Sequence, residues 1–190
     1  MKQDNKTAAV GGKKLHETLS PEMVRRLRTI RRETFILLFL TGFYTKNERQ
    51  EQAEEYLNSL VEETVKKAAE AQAGAESDED LAELEPEFSA ELAGEIMQRY
   101  HDVAAQIGKI DPMISRASHG WDLNRIGKAE LNIMRVAAYE MYFDESVPVA
   151  VAVDEAVEAA RTFGGEQSPA FVNGILSEIL KANKLPEGKE

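Results

Sequence analysis

The sequence predicts an all-α protein with about seven helices in two packed helical subdomains. Three observations lead to this fold class. Apolar residues recur at three- and four-residue spacing in several separate segments. Only six prolines and twelve glycines occur in 190 residues, and most of them stand where a helical pattern begins or ends. Hydrophobic residues make up 43% of the chain, which is enough to bury a core.

The first half is predicted to form an N-terminal subdomain over 21–110, after a disordered polar tail at 1–20. Ser20-Pro21 predicts a helix start, because serine caps free amides and proline fits the first turn. The first helix is expected to run to about Tyr44 and to bury its apolar second half. A second helix follows over about 48–73. Residues 66–87 are rich in Ala, Glu and Asp and predict an acidic insertion, as a frayed helix end and loop or as a poorly packed helical extension.

The second half is predicted to form a C-terminal subdomain over 111–183, with a short tail at 184–190. A third helix should end near 107, and Asp111-Pro112 then predicts the start of a short new helix. Two further helices are expected over about 122–143 and 148–163. Gly164-Gly165 should end the second of these with a left-handed turn, and Ser168-Pro169 should begin the last helix.

Composition excludes several classes of protein. The chain has no cysteine, so disulfides, thiolate metal sites and cysteine nucleophiles are all excluded. The polar start carries no secretory signal, and the longest apolar run, 35–40, is too short for a membrane span, so we expect a cytoplasmic protein without membrane contact. Phosphate-binding, zinc-protease and hydrolase motifs are missing, and the three histidines are scattered. We therefore expect no enzyme activity, no metal and no cofactor.

Charge is divided unevenly along the chain. The net charge is −11, yet residues 1–32 hold nine Lys or Arg against three Asp or Glu, whereas 48–98 hold three against sixteen. Arg25, Arg28 and Arg32 share one helix face, and Arg26 and Arg31 flank it. Arginine forks bind phosphates and also stack on unpaired bases, so this row suits single-stranded RNA. A solvated helix end would also explain these arginines, and core packing would explain Phe35 and Phe39 on the same face.

A second notable segment runs from Phe163 to Leu176. It predicts a helix end, a tight turn and a new helix. Gly174 within that helix costs about 1 kcal/mol relative to alanine, which suggests close approach of another helix or a ligand. Asn173 could pair with backbone or with RNA. A well-made corner between two helices would explain most of the segment without any ligand.

Several motifs in order resemble the NusB family. The likeness is strong over 121–180, weaker over 22–65 and faint over 88–115, while 1–17 and 66–87 look like additions. Its motifs are Arg32-Glu33, Arg125-Ile126, Leu131, Met134 to Glu140, Val147-Pro148, Asp154 to Val157, Phe163-Gly164 and Phe171 to Leu176.

The resemblance implies a non-enzymatic role in transcription antitermination. Family members bind boxA RNA of ribosomal RNA transcripts together with the ribosomal protein NusE, and join RNA polymerase and other Nus factors. Some form homodimers that hide the RNA surface. The expected RNA-binding residues here, from the arginine row and by position in the family, are Arg25, Arg28, Arg31, Arg32, Phe163, Gln167 and Phe171.

Three positions carry further expectations from the resemblance. Glu130 matches a glutamate on the NusE-facing surface. Gln167 stands where some members have an acidic residue, so RNA should be repelled less there. Leu40 replaces an aromatic RNA contact; either Phe39 or Phe43 compensates, or the contact is missing.

Other roles remain open on the same fold. The chain could act in ribosomal RNA processing, since similar helical domains precede the catalytic domains of some ribosomal RNA methyltransferases. It could be a protein-interaction adaptor that uses its acidic body on basic partners. A small-molecule bundle enzyme is a more remote alternative.

Overall fold

The structure is a computed structural model that describes residues 20–74, 88–119 and 122–189. Within these ranges every regular element is helical, which confirms the predicted all-α class. Residues 1–19 of the tail predicted over 1–20, and most of the acidic insertion, 75–87, lie outside the described residues. The helices are α1 (Pro21–Thr41), α2 (Arg49–Gly74), α3 (Ala90–Ala117), a 3-10 turn (Leu123–Arg125), α4 (Lys128–Tyr142), α5 (Val149–Phe163) and α6 (Ser168–Ala182).

Helix α1 begins as its sequence predicts. The Ser20 hydroxyl accepts a hydrogen bond from the Met23 amide at 3.1 Å, and Pro21 occupies the first turn. The helix ends at Thr41, three residues earlier than expected, and Gly42 caps it. Its middle is central, because Leu37 is fully buried in a core that α3 and α4 also enclose.

Helix α2 is attached to the rest of the protein mainly through its first half. Ala53 and Leu57 are buried against the core, whereas Val65 is 61% exposed. The helix nevertheless continues to Gly74. The start of the predicted acidic insertion is therefore a helical extension with little packing.

Helix α3 corrects the predicted break near residue 110. It is one helix of 28 residues, and Pro112 lies inside it. Ile110 and Ile114 are fully buried on either side of the proline, so a continuous buried stripe outweighs the local start signal. Asp111 does not cap a helix; both of its oxygens accept hydrogen bonds from Arg135 at 2.8 Å. The proposed boundary between 110 and 111 thus falls within an unbroken helix, and buried residues from both halves form one core cluster.

The C-terminal part packs α4, α5 and α6 against one another, and α4 and α6 also pack against α3. The single helix expected over 122–143 is instead a 3-10 turn followed by α4 from Lys128. The predicted tail at 184–190 is partly packed: Leu185 lies against the core, and the Lys189 ammonium donates to the backbone carbonyls of Glu140 and Asp144.

Two findings concern the described residues as a whole. None of their helices is long and apolar enough to cross a membrane. They contain no group of three or more His, Cys, Asp or Glu side chains arranged to hold a metal ion.

Candidate nucleic-acid interface

An open groove of about 1030 Å³ lies between α1, the start of α3 and the end of α5. All four arginines that were predicted to bind RNA line it, together with Phe163 from α5. The fold therefore brings together residues that are more than 130 positions apart in the chain. The predicted arginines on its wall are Arg25, Arg28, Arg31 and Arg32.

Arg28 is the most accessible of the groove arginines that form an ion pair. Its side chain is 56% exposed, and its Nε donates to Glu155 Oε1 on α5 at 2.9 Å. Arg25 is exposed one turn earlier and makes no hydrogen bond or ion pair within the described residues. Both guanidinium groups can therefore meet a ligand in the groove.

Arg32 is held differently, by its neighbour in sequence. Its Nε donates to Glu33 Oε1 at 2.8 Å, and its side chain stays 49% exposed. Glu33 is buried, and its second oxygen accepts a hydrogen bond from the Tyr56 hydroxyl on α2 at 2.7 Å. Burial and this hydrogen bond raise the pKa of Tyr56, so the phenol remains a donor at neutral pH.

Arg31 faces inward, which the sequence did not indicate. Its side chain is only 13% exposed, and its Nε donates to both oxygens of Glu140 at 2.9 Å. Its Nη1 also lies 3.4 Å from Glu155. Burial raises the pKa of Glu140, and the Arg31 ion pair opposes that rise. The geometry gives Arg31 a structural role between α1, α4 and α5.

Aromatic rings continue from the groove along α1. Phe163 is 38% exposed, and its ring centroid lies 4.8 Å from that of buried Phe35. Phe39 is half-buried and lies 5.3 Å from Phe43, which is 60% exposed. The Lys128 ammonium lies 3.7 Å from the Phe43 ring centroid. Of the two aromatic residues proposed to compensate for Leu40, Phe43 is the more exposed to solvent.

The turn between α5 and α6 is built around Ser168. Its hydroxyl donates to Glu130 Oε1 on α4 and accepts from the Gly165 amide at 2.8 Å. A side chain on Gly164 would place its Cβ 2.4 Å from Ser168 Cβ. Gly164 has φ −101°, so the predicted left-handed turn is wrong; glycine is required there by space. Glu130 is half-buried in this network.

Three other predicted features of this segment differ in accessibility. Gln167 is exposed in the turn and can be reached by a ligand. Phe171 is half-buried and packs against the core. Gly174 is exposed, and a Cβ added there would meet nothing within 4 Å, so the close approach expected at this glycine does not come from the described residues.

Sequence reasoning did not identify Glu155, Tyr56 or Lys128 as part of this region. Each acts through a residue distant in sequence: Glu155 and Arg28 are 127 positions apart, and Tyr56 and Glu33 are 23 apart. The spacing of residues within one helix cannot predict contacts between side chains of different helices.

Comparison with known proteins agrees with this architecture. The family model of the NusB family matches residues 23–181. The transcription antitermination protein NusB of Lachnoclostridium phytofermentans is 36% identical over 153 residues, covering 80% of this chain and 97% of its own length. That of Agathobacter rectalis is 32% identical over 150 residues, covering 79% and 95%.

Solved structures show the same fold. NusB of T. maritima superposes with a TM-score of 0.57 at 26% identity, covering 84% of this chain and 93% of its own. A protein chain in the crystal structure of a plectonemic RNA supercoil gives a TM-score of 0.56 at 21% identity, covering 83% and 96%, a likeness that shows the fold alone. With the family model including part or all of each of the six helices and a relative matched over nearly its whole length, the chain belongs to the NusB family.

Proposed function

We propose that this chain is a cytoplasmic transcription antitermination factor that binds boxA RNA of ribosomal RNA transcripts. It does so together with NusE, and the complex joins RNA polymerase and other Nus factors. The observation that carries the proposal is the groove where Arg25, Arg28 and Arg32 meet Phe163 on a chain of this family. Guanidinium forks bind phosphates, and an exposed ring stacks on a base.

The mechanism is adhesive and requires no chemical step. The groove offers three accessible arginines, whereas the chain as a whole carries a net charge of −11. RNA is therefore attracted to one place and repelled elsewhere, which gives modest affinity on its own. NusE adds a second RNA surface, and attachment to polymerase raises the local concentration of all components. Glu130, close to the exposed turn before α6, is the proposed contact to NusE.

The seven expected RNA-binding residues have different roles in this proposal. Arg28 and Arg32 bind phosphates, Arg25 adds a further cation, and Phe163 and Gln167 meet bases. Phe171, packed against the core, supports the turn that presents Gln167. Arg31 does not contact RNA; it supports the groove through its ion pairs with Glu140 and Glu155.

The test is fluorescence anisotropy of a labelled boxA RNA against the protein, with and without NusE, over a salt series. Arg28→Ala and Arg32→Ala should each weaken binding roughly 10- to 100-fold, because a charge-assisted hydrogen bond contributes about 1.5–3 kcal/mol. Each should also reduce the salt slope by about 0.7, the value for one phosphate contact on a single strand.

Arg116→Ala is the matched control. It removes the same charge from the last turn of α3, whereas the groove meets α3 at Leu92, roughly 36 Å away along the helix axis. No binding above that of a scrambled RNA, with or without NusE, would contradict the proposal and favour a protein-interaction adaptor. Specific RNA binding without any effect on read-through of a terminator in a reconstituted transcription assay would favour a role in ribosomal RNA processing.

A further inference from the structure

The two arginines proposed to bind phosphates are held in the same way. Arg28 and Arg32 each donate from Nε to one carboxylate oxygen, at 2.9 Å and 2.8 Å. No hydrogen bond from the Nη groups of either side chain occurs within the part of the chain that the structure describes. One edge of each guanidinium is thus attached to the protein, and its outer nitrogens remain free for a ligand.

The two carboxylates are themselves fixed. Glu155 is 17% exposed at its side chain, and its second oxygen lies 3.4 Å from Arg31 Nη1. Glu33 is 4% exposed at its side chain, and its second oxygen accepts the Tyr56 hydroxyl at 2.7 Å. Neither carboxylate can turn toward solvent without losing a second partner. Each therefore acts as a rigid support for the arginine in front of it.

The neighbouring arginines of α1 lack this arrangement. Arg26 donates from Nε to Glu95, and its Nη2 lies 3.0 Å from Glu95 and 3.5 Å from Glu91, so one of its two outer nitrogens is occupied as well. Arg31 is withdrawn from solvent between Glu140 and Glu155. Among the arginines of α1, only Arg28 and Arg32 are attached through Nε alone within the described residues, and both are about half exposed in the groove.

We propose that Glu155 and Glu33, the latter supported by Tyr56, are positioning residues that hold Arg28 and Arg32 ready for two phosphates of one RNA strand. The inference rests on the proposed function. A free arginine loses side-chain entropy when it binds, and ordering it beforehand removes that cost from the binding step. The four-residue spacing of the pair separates them by one helical turn, about 6 Å along the axis.

The proposal makes a prediction opposite to that of simple electrostatics. A carboxylate beside a phosphate site should repel RNA, so its removal should tighten binding if it did nothing else. If Glu155 positions Arg28, its removal should weaken binding although the groove becomes more positive. The sign of the change therefore decides between the two explanations.

The experiment compares Glu155→Ala with Glu158→Ala in boxA anisotropy in the presence of NusE. Both residues line the groove from α5, but Glu158 pairs with Arg161 on its own helix. Glu158→Ala should tighten binding up to about threefold through the charge effect. Glu155→Ala should weaken it about five- to tenfold, and Glu155→Gln, which keeps an oxygen to accept from Arg28 Nε, should recover most of the loss. Equal tightening by both alanine variants would overturn the proposal.

Tyr56→Phe tests the support of Glu33, because it removes only the hydroxyl group and leaves the ring and the charge unchanged. It should weaken binding about two- to fourfold, because Glu33 loses the donor that holds it.

NMR of the free protein tests the same arrangement without RNA. The Hε protons of Arg28 and Arg32 should exchange slowly with water in the wild type, and Arg28 Hε should exchange rapidly in Glu155→Ala. Fast exchange of both signals in the wild type, or unchanged affinity of Tyr56→Phe, would contradict the inference. Failure of the wild type to bind RNA would instead contradict the proposed function.

Discussion

Substitution by alanine should have opposite effects on the stability of the protein at Gly164 and at Gly174, two glycines of the same short segment. At Gly164 an added Cβ would lie 2.4 Å from Ser168 Cβ and 2.7 Å from the Ala160 carbonyl oxygen, closer than real contacts allow. At Gly174 an added Cβ would meet nothing within 4 Å. The first substitution must displace the turn, whereas the second only adds a better helix-forming residue to α6.

The structure sets the size of both effects. Overpacking costs about 1–3 kcal/mol, and the Ser168 hydroxyl that would move also bonds Glu130 and the Gly165 amide. Loss of one such bond adds about 1 kcal/mol, so Gly164→Ala should lower the free energy of unfolding by about 2–4 kcal/mol. Gly174→Ala should raise it by up to about 1 kcal/mol through helix propensity alone.

Thermal unfolding followed by circular dichroism at 222 nm provides the assay. For a chain of this size about 1 kcal/mol shifts Tm by roughly 2–4 °C, so Gly164→Ala should lower Tm by about 5–15 °C and Gly174→Ala should raise it by about 2–4 °C. Urea midpoints should move in the same directions. A neutral Gly164→Ala or a destabilised Gly174→Ala would refute the packing argument. If Gly174→Ala stabilises the protein but weakens NusE or RNA binding, the glycine serves a contact outside this chain.

Three further predictions test other parts of the structure. Pro112→Ala should raise the free energy of unfolding by about 1–3 kcal/mol, because α3 is continuous through this position; a lower urea midpoint would contradict that. Phe163→Ala should reduce boxA affinity roughly tenfold in anisotropy by removing a stacking surface, and full affinity would exclude this ring from the site. Burial opposes ionisation of Asp144, but hydrogen bonds from Ser146 and the Arg99 ion pair lower its pKa. Since the folded state lowers this pKa, the ionised Asp144 stabilises the protein fully above about pH 4, and this stabilisation is lost as the pH falls further. The Tm of Asp144→Asn should therefore fall less than that of the wild type between about pH 5 and about pH 3.

Local sequence signals predicted the helices well where burial and capping agree. Ser20-Pro21 begins α1 with a serine cap and a first-turn proline, and Ser168-Pro169 begins α6 with a first-turn proline and no side-chain cap. Such signals depend on neighbours only a few residues away. Asp111-Pro112 carries the same kind of signal and gave a wrong prediction. There the buried stripe of α3 continues through the proline, and packing against the rest of the core outweighs the local preference.

The arginine row was predictable, but the role of each arginine was not. Spacing of three and four residues places Arg25, Arg28 and Arg32 on one face, since helical geometry alone decides that. Whether a guanidinium faces solvent or a carboxylate depends on which helices lie opposite. Arg31, one residue before Arg32, turns inward because α4 brings Glu140 against it from 109 positions away.

The sequence by itself determined the helical class, most helix starts, the basic face of α1 and the family motifs, because all of these depend on residues close together in the chain. Only the tertiary structure decided that Phe163 joins that face, that α3 is unbroken and that Gly164 is needed for space. It also decided that Glu155 contacts Arg28 on the groove wall and that Tyr56 contacts Glu33. These features arise where separate helices meet, and the distances between helices are set by packing of the whole core rather than by any local pattern.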